Sequence, residues 1–134
     1  MTIMSNDCVV LADVGNSEYW NCFCSTIFTK LNSMKDSIPF ALKFLENGTC
    51  EADDCLETAR QLNLIRDKLS QLSTDEIVFD YKDPTNKKHK NINISPIVTS
   101  CGNFFTTADG KDLIFELNSI LCYAAYKKVP VISQ

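Results

Sequence analysis

From Thr49 onward the chain places Leu56, Ala59, Leu62, Ile65, Leu69 and Leu72 at steps of three and four, with charged or polar side chains filling most positions between them. That spacing belongs to a helix with one buried side, because residues three and four apart share a helix face. A helix of this kind gains most of its stability by packing its apolar stripe on another layer, so the chain is expected to be a layered globular protein. Thr49 is the expected cap, and Glu51, Asp53 and Asp54 complement the positive end of the helix dipole.

The other elements follow from the same reading. Cys8 to Val14 (CVVLADV) is a short apolar run closed by Gly15 and Asn16, which predicts a buried strand. Ser17 then caps a helix whose apolar face is Tyr19, Phe23, Ile27 and Leu31, joined by Trp20 and Cys24. Pro39 opens a second helix bearing Phe40, Leu42, Phe44 and Leu45, and Asn47-Gly48 ends it. Glu76 to Tyr81 (EIVFDY) reads as a strand, and Asp83 to Lys90 as a loop. Asn91 to Thr99 and Asn103 to Thr107 are expected to be two further strands, with Pro96 confining the first to an edge. Asp109 caps the last helix, which carries Leu113, Ile114, Leu117, Ile120, Leu121 and Ala124 inward and ends at Lys127-Lys128 and Pro130. Val129 to Ser133 is a final short strand. The expected fold class is α/β in the α+β sense, with residues 1–134 as one domain. A single mixed or mainly antiparallel sheet carries helices packed on it.

At 134 residues, 45% apolar and 22% charged, the chain can bury a substantial core, which argues against wholesale disorder. Its start has no basic n-region followed by an apolar run, and no segment reaches the ~20 apolar residues of a membrane span. A cytoplasmic location with no membrane partner is expected. Seven cysteines, an odd number in apolar contexts, suit reduced thiols better than a disulfide framework.

Charge is distributed unevenly. Between Asp36 and Asp83 eleven acids face five bases, whereas residues 84–134 hold six bases and three acids. A concentrated acidic middle argues against nucleic acid as a direct partner and favours a cationic protein.

No catalytic constellation stands out. Cys22-x-Cys24 offers two thiolates on different faces of a helix, with no second pair at finger-like spacing. His89 lies among Lys87, Lys88 and Lys90 in an expected loop, without a nucleophile or orienting carboxylate beside it. Asp109-Gly110-Lys111-Asp112 lacks the twelve-residue ligand series of a calcium loop. Gly-rich phosphate loops, nucleophile elbows and zincin motifs are absent, and no cofactor is expected. Asp53-Asp54 reads as helix capping, and Asp80-x-x-Asp83 follows an expected strand, where it could receive basic side chains.

The run Ile94-Ser95-Pro96, then Asn103-Phe104-Phe105-Thr106-Thr107, Asp109-Gly110-Lys111-Asp112-Leu113 and the helix ending Tyr126-Lys127-Lys128-Val129 resembles a bacterial immunity-protein family, immunity protein seventy. The opening strand, the segment FCSTIFTKL and the middle helix before EIVFDY extend the similarity over most of the chain. The resemblance implies a cytosolic, non-enzymatic protein that binds the C-terminal domain of a cognate polymorphic toxin, including toxins of contact-dependent growth inhibition. Such toxins are often nucleases, and a nuclease presents a basic surface to its substrate. Binding residues do not carry over from the resemblance, since Ser95, Pro96, Asp109 and Gly110 are turn and cap residues that hold a fold. Charge and expected exposure nominate Asp53, Asp54, Glu57, Asp80 and Asp83 as toxin-binding, with Tyr81 as an aromatic anchor. A small enzyme using Asp80 and Asp83, and a generic protein-binding adaptor, remain the alternatives.

Overall fold

The computed structural model describes residues 1–80, 82 and 97–134. Its element order is β1 (Thr2–Ser5), β2 (Leu11–Asp13), α1 (Ser17–Lys30), α2 (Pro39–Asn47), α3 (Cys55–Leu69), α4 (Leu113–Lys127) and β3 (Val131–Ser133), with short 3-10 turns between several of them. The sheet runs β2-β1-β3, every pairing antiparallel. Ile3 stands opposite Ala12 on one side and Ser133 on the other, so the two chain ends meet in one sheet. The result is the expected α+β class, with the antiparallel form of the sheet.

The core is built from α1, α3 and α4 together with the strands, and it is α4 that packs directly on the sheet. Phe23 and Ile27 of α1, Leu62, Ile65 and Leu69 of α3, Leu113, Leu117 and Leu121 of α4, and Ile3 and Val131 of the strands are all fully buried. These are the i, i+3, i+4 positions that the sequence sets apolar, and the densest helix pairing is α3 against α4. Their antiparallel run is tied by Arg66 to Asp112 at 2.6 Å and by the Asn118 side-chain amide donating to Asn63 at 2.6 Å. Gly102 lets a neighbouring turn press on the end of α3, because an added Cβ would stand 3.0 Å from the backbone of Ser70. No described helix is long and apolar enough to cross a membrane.

Several expectations are corrected. The segment expected as a strand over residues 8–14 pairs only at Leu11–Asp13, and its partner is β1, which sequence patterning does not mark. Cys8 to Val10 instead form the hairpin loop, with Cys8 at φ 62° and Asp7 accepting from the Val9 amide and the Ser5 hydroxyl. The α1 cap is Asn16, not Ser17: its Oδ1 accepts from the Tyr19 amide at 2.8 Å. Thr49 does not cap the middle helix. Cys50 is extended and exchanges two backbone hydrogen bonds with Val131, at 2.9 and 2.8 Å, so the helix waits until Cys55 after a 3-10 turn at Ala52–Asp54. Leu56, expected inward, is 63% exposed.

Glu76 to Tyr81 is not a strand over its described residues. The Thr26 hydroxyl takes both the amide and the carbonyl of Val78, so one side chain occupies the groups a ladder would use. Asn103 to Thr107 is not a strand either. Cys101–Asn103 form a 3-10 turn capped by Ser100 and Asn103, and only Thr106 bridges to Asp112. The last helix is capped by Asp112, which accepts from the Phe115 amide at 2.9 Å, while Asp109 bonds Thr107 in the preceding turn. Of the expected strand Asn91 to Thr99, residues 97–99 are irregular. Residues 91–96, His89 and the loop at 83–90 lie outside the described residues.

The α2 helix ends as its sequence predicts. Gly48 adopts φ 71° there, and a Cβ at this position would also stand 2.7 Å from Ser133 Oγ. Two independent requirements, left-handed backbone and close approach of β3, therefore meet on one glycine.

Candidate functional site

The three acids around the start of α3 fall together. After the extended Glu51, the 3-10 turn places Asp53 exposed and Asp54 half-buried at the positive end of the helix, which has no side-chain cap bond of its own. Glu57 follows one turn on. Its carboxylate accepts from Nε and the terminal nitrogen of Arg60 and from the Gln61 amide, and these bonds, Arg60 first, hold it at a pKa of about 2.

Gln61 gives Glu57 a second task. The Gln61 side chain is buried, and its Oε1 accepts from the amides of Phe40 and Ala41 at 2.8 and 2.9 Å, which caps the otherwise unpaired start of α2. Glu57 therefore braces the residue that joins α2 to α3, and its charge is already partnered by Arg60.

Two shallow clefts flank this junction. One, of about 300 Å³, is lined by residues including Phe40, Lys43, Cys50, Glu51, Asp54 and Thr58. The other, of about 640 Å³, is lined by Asp36, Pro39, Phe40, Glu57, Arg60 and Gln61 among others. Phe40 belongs to both and is 40% exposed. The α2–α3 junction is thus a concave face with an aromatic ring at its centre and four acids around it (Asp36, Glu51, Asp54 and Glu57) against Lys43 and Arg60. From sequence, Phe40 is named only among the apolar residues of α2, and neither Asp36 nor Glu51 is nominated as a binding residue; the first helical turn behind Pro39 was the available signal.

Asp80 lies elsewhere. It follows Val78, which is pinned to α1 through Thr26, and its carboxylate accepts from the Lys82 amide at 3.0 Å in a local turn. Tyr81 and Asp83 lie outside the described residues, so the Asp80-x-x-Asp83 pair is described at its first member only.

The remaining candidate ligands have other work. Burial pushes the thiols of Cys22 and Cys24 up to about 12, which withholds the thiolates a metal would need. Asp112 is engaged by the Phe115 amide and Arg66, and Asp109 by Thr107 and Lys111. Among the described residues no group of three or more His, Cys, Asp or Glu side chains is arranged to hold a metal ion. A further groove of about 640 Å³, between α1 and α2, is lined by residues including Trp20, Ile27, Leu31, Leu42, Lys35 and Glu46.

No curated protein and no solved structure is significantly similar to the chain. A family model does match it, over residues 5–132, and its description is immunity protein 70. The match spans β2, the helices α1 to α4 and most of β3, including the acidic junction of α2 and α3, and on that extent the chain belongs to the immunity protein 70 family.

Proposed function

We propose that this protein, acting as one domain in the cytoplasm, neutralises a cognate toxin C-terminal domain by stoichiometric binding and without catalysis. The toxin it meets is a cationic nuclease, of the kind delivered by contact-dependent growth inhibition. The observation that carries this reading is the concave acidic face at the α2–α3 junction, centred on the half-exposed ring of Phe40. An aromatic side chain ringed by acids provides both parts of a protein inhibitor's contact, a ring to bury and charges to steer and orient a basic partner. The same charges disfavour a phosphate backbone.

Asp54 lines this face and Asp53 stands exposed beside it, and among the described residues no side-chain hydrogen bond or ion pair engages either carboxylate. Glu57 contributes less, being committed to Arg60 and Gln61. Asp80, Tyr81 and Asp83 are further proposed toxin-binding residues, and of these the structure describes Asp80. Occupation of the nuclease's basic surface by this face would exclude its substrate by competition.

The test is co-purification with the toxin domain encoded beside this chain, followed by titration of its nuclease activity. Inhibition is expected to saturate at one protein per toxin, and reversing Asp53 and Asp54 to lysine is expected to weaken binding at least about tenfold, in line with the cost of misplaced interfacial charge. Absence of a complex would overturn the reading, and an unchanged affinity in the reversed variant would remove this face from it.

A further inference from the structure

The stretch between the bridge to β3 and the first turn of α3 brings two thiols to one carbonyl oxygen. Cys50 is held extended by its paired backbone bonds to Val131, and the 3-10 turn at Ala52–Asp54 then reverses the chain so that Cys55 comes back over it. Both thiols reach the same acceptor, the carbonyl oxygen of Glu51, Cys50 at 3.6 Å and Cys55 at 3.3 Å. Cys50 Sγ also lies 3.4 Å from Thr58 Oγ1.

The two cysteines differ in what they can do. Cys50 lines the 300 Å³ cleft, together with Lys43, so a small solute can approach its sulfur, whereas Cys55 is fully buried. The Cys55 thiol alongside, helped by Thr58, lowers Cys50 to about 7 against the opposing effects of burial and the nearby Asp54 and Glu51, while Cys55 is raised. A thiol that ionises near neutrality beside a protonated neighbour is the division of labour between an attacking and a resolving cysteine.

We propose that Cys50 and Cys55 are a peroxide-responsive dithiol, with Cys50 attacking and Cys55 resolving. The Cys50 thiolate attacks one oxygen of the peroxide, the O–O bond breaks, and the departing hydroxide takes up a proton to leave as water. The Cys50 sulfur, now a sulfenic acid, is attacked by the Cys55 sulfur. An S–S bond forms, the S–O bond breaks, and the Cys55 proton leaves with that oxygen as a second water. Two thiols thus lose two hydrogens and two electrons, and one peroxide becomes two waters. The ring so closed carries Glu51, Asp53 and Asp54, and its chemistry does not depend on whether those acids meet a toxin.

The experiment is exposure of the folded full-length chain to hydrogen peroxide at pH 7, alkylation of the remaining thiols, and tryptic mapping without reduction. Both sulfurs fall in one tryptic peptide, from Phe44 to Arg60. It is expected to lose two hydrogens while blocking neither thiol, and to regain two alkylation sites after reduction. In Cys55→Ser the reaction is expected to stop at a sulfenic acid on Cys50 that dimedone traps. Independently of any variant, Cys50 is expected to be alkylated at pH 7 about tenfold faster than the other buried thiols, as its larger thiolate fraction dictates. A peptide that keeps both thiols, or a disulfide joining Cys55 to Cys122, whose charge also reaches it, would overturn the proposal.

Discussion

The two ends of α3 are held in opposite ways. At its C-terminal end Arg66 reaches the cap of α4, Asn63 meets Asn118, and the turn at Gly102 presses on Ser70. At its N-terminal end the helix begins without a side-chain cap bond, with Asp53 and Leu56 facing solvent and a cleft alongside. One end is built from contacts whose loss costs folding energy. The other presents charge and apolar surface whose burial contributes little to folding. The proposed function calls for both, a rigid body and a face whose residues are free to be chosen for a partner, and under that proposal one helix supplies them at opposite ends.

That contrast yields graded expectations. Truncating Leu117→Ala, fully buried against α3, is expected to cost about 3 kcal/mol in urea unfolding, as large-to-small core substitutions do. A cost below about 1 kcal/mol would mean that the packed end is not packed. Gly102→Ala places a methyl 3.0 Å from backbone atoms of Ser70, which cannot rotate away, and about 2 kcal/mol is expected from the resulting shift. Asp112→Ala removes the cap of α4 and the partner of Arg66 together, for about 1 to 2 kcal/mol.

Glu57 tests the middle of the helix through pH. Its carboxylate is held near 2, below its ordinary 4.5, so its stabilising contribution is present above about 4.5 and is lost as pH falls toward 2. The difference in urea midpoint between the native chain and Glu57→Gln is therefore expected to be constant above pH 5 and to close by pH 2. It should be small throughout, and smaller in high salt, because the pair with Arg60 is solvent-facing. At the open end Asp53→Lys is expected to leave the unfolding midpoint unchanged within about 0.5 kcal/mol, as exposed substitutions do, while lowering affinity for the toxin. A large loss of stability there would erase the distinction between the two ends.

Periodicity made the helices legible. The stripes of α1 and α4 and the run from Ala59 to Leu69 are buried as their spacing predicts, and Pro39 and Gly48 bound α2 where punctuation residues should. The strands were legible only in part, because their pairing is not local. β1 carries no alternation that marks it, and it is a strand because Leu11–Asp13 and Val131–Ser133 flank it. EIVFDY has strand-forming residues but no neighbouring strand along its described part, and the Thr26 hydroxyl 52 residues away takes its backbone groups instead. At the site, the acids could be nominated from charge alone. The exposure of Phe40 and the bracing of Gln61 by Glu57 could not, since both depend on how α2 is set against α3.

Gly48 bears on how variation among relatives should be weighed. Its left-handed backbone strains any side chain placed there, and a Cβ would also force the Ser133 hydroxyl to move aside. Selection for folding therefore favours glycine at this position whatever partner the protein meets. In this molecule an invariant column at position 48 would report on architecture, and the columns that drift in step with a partner are to be sought where the chain has no such veto.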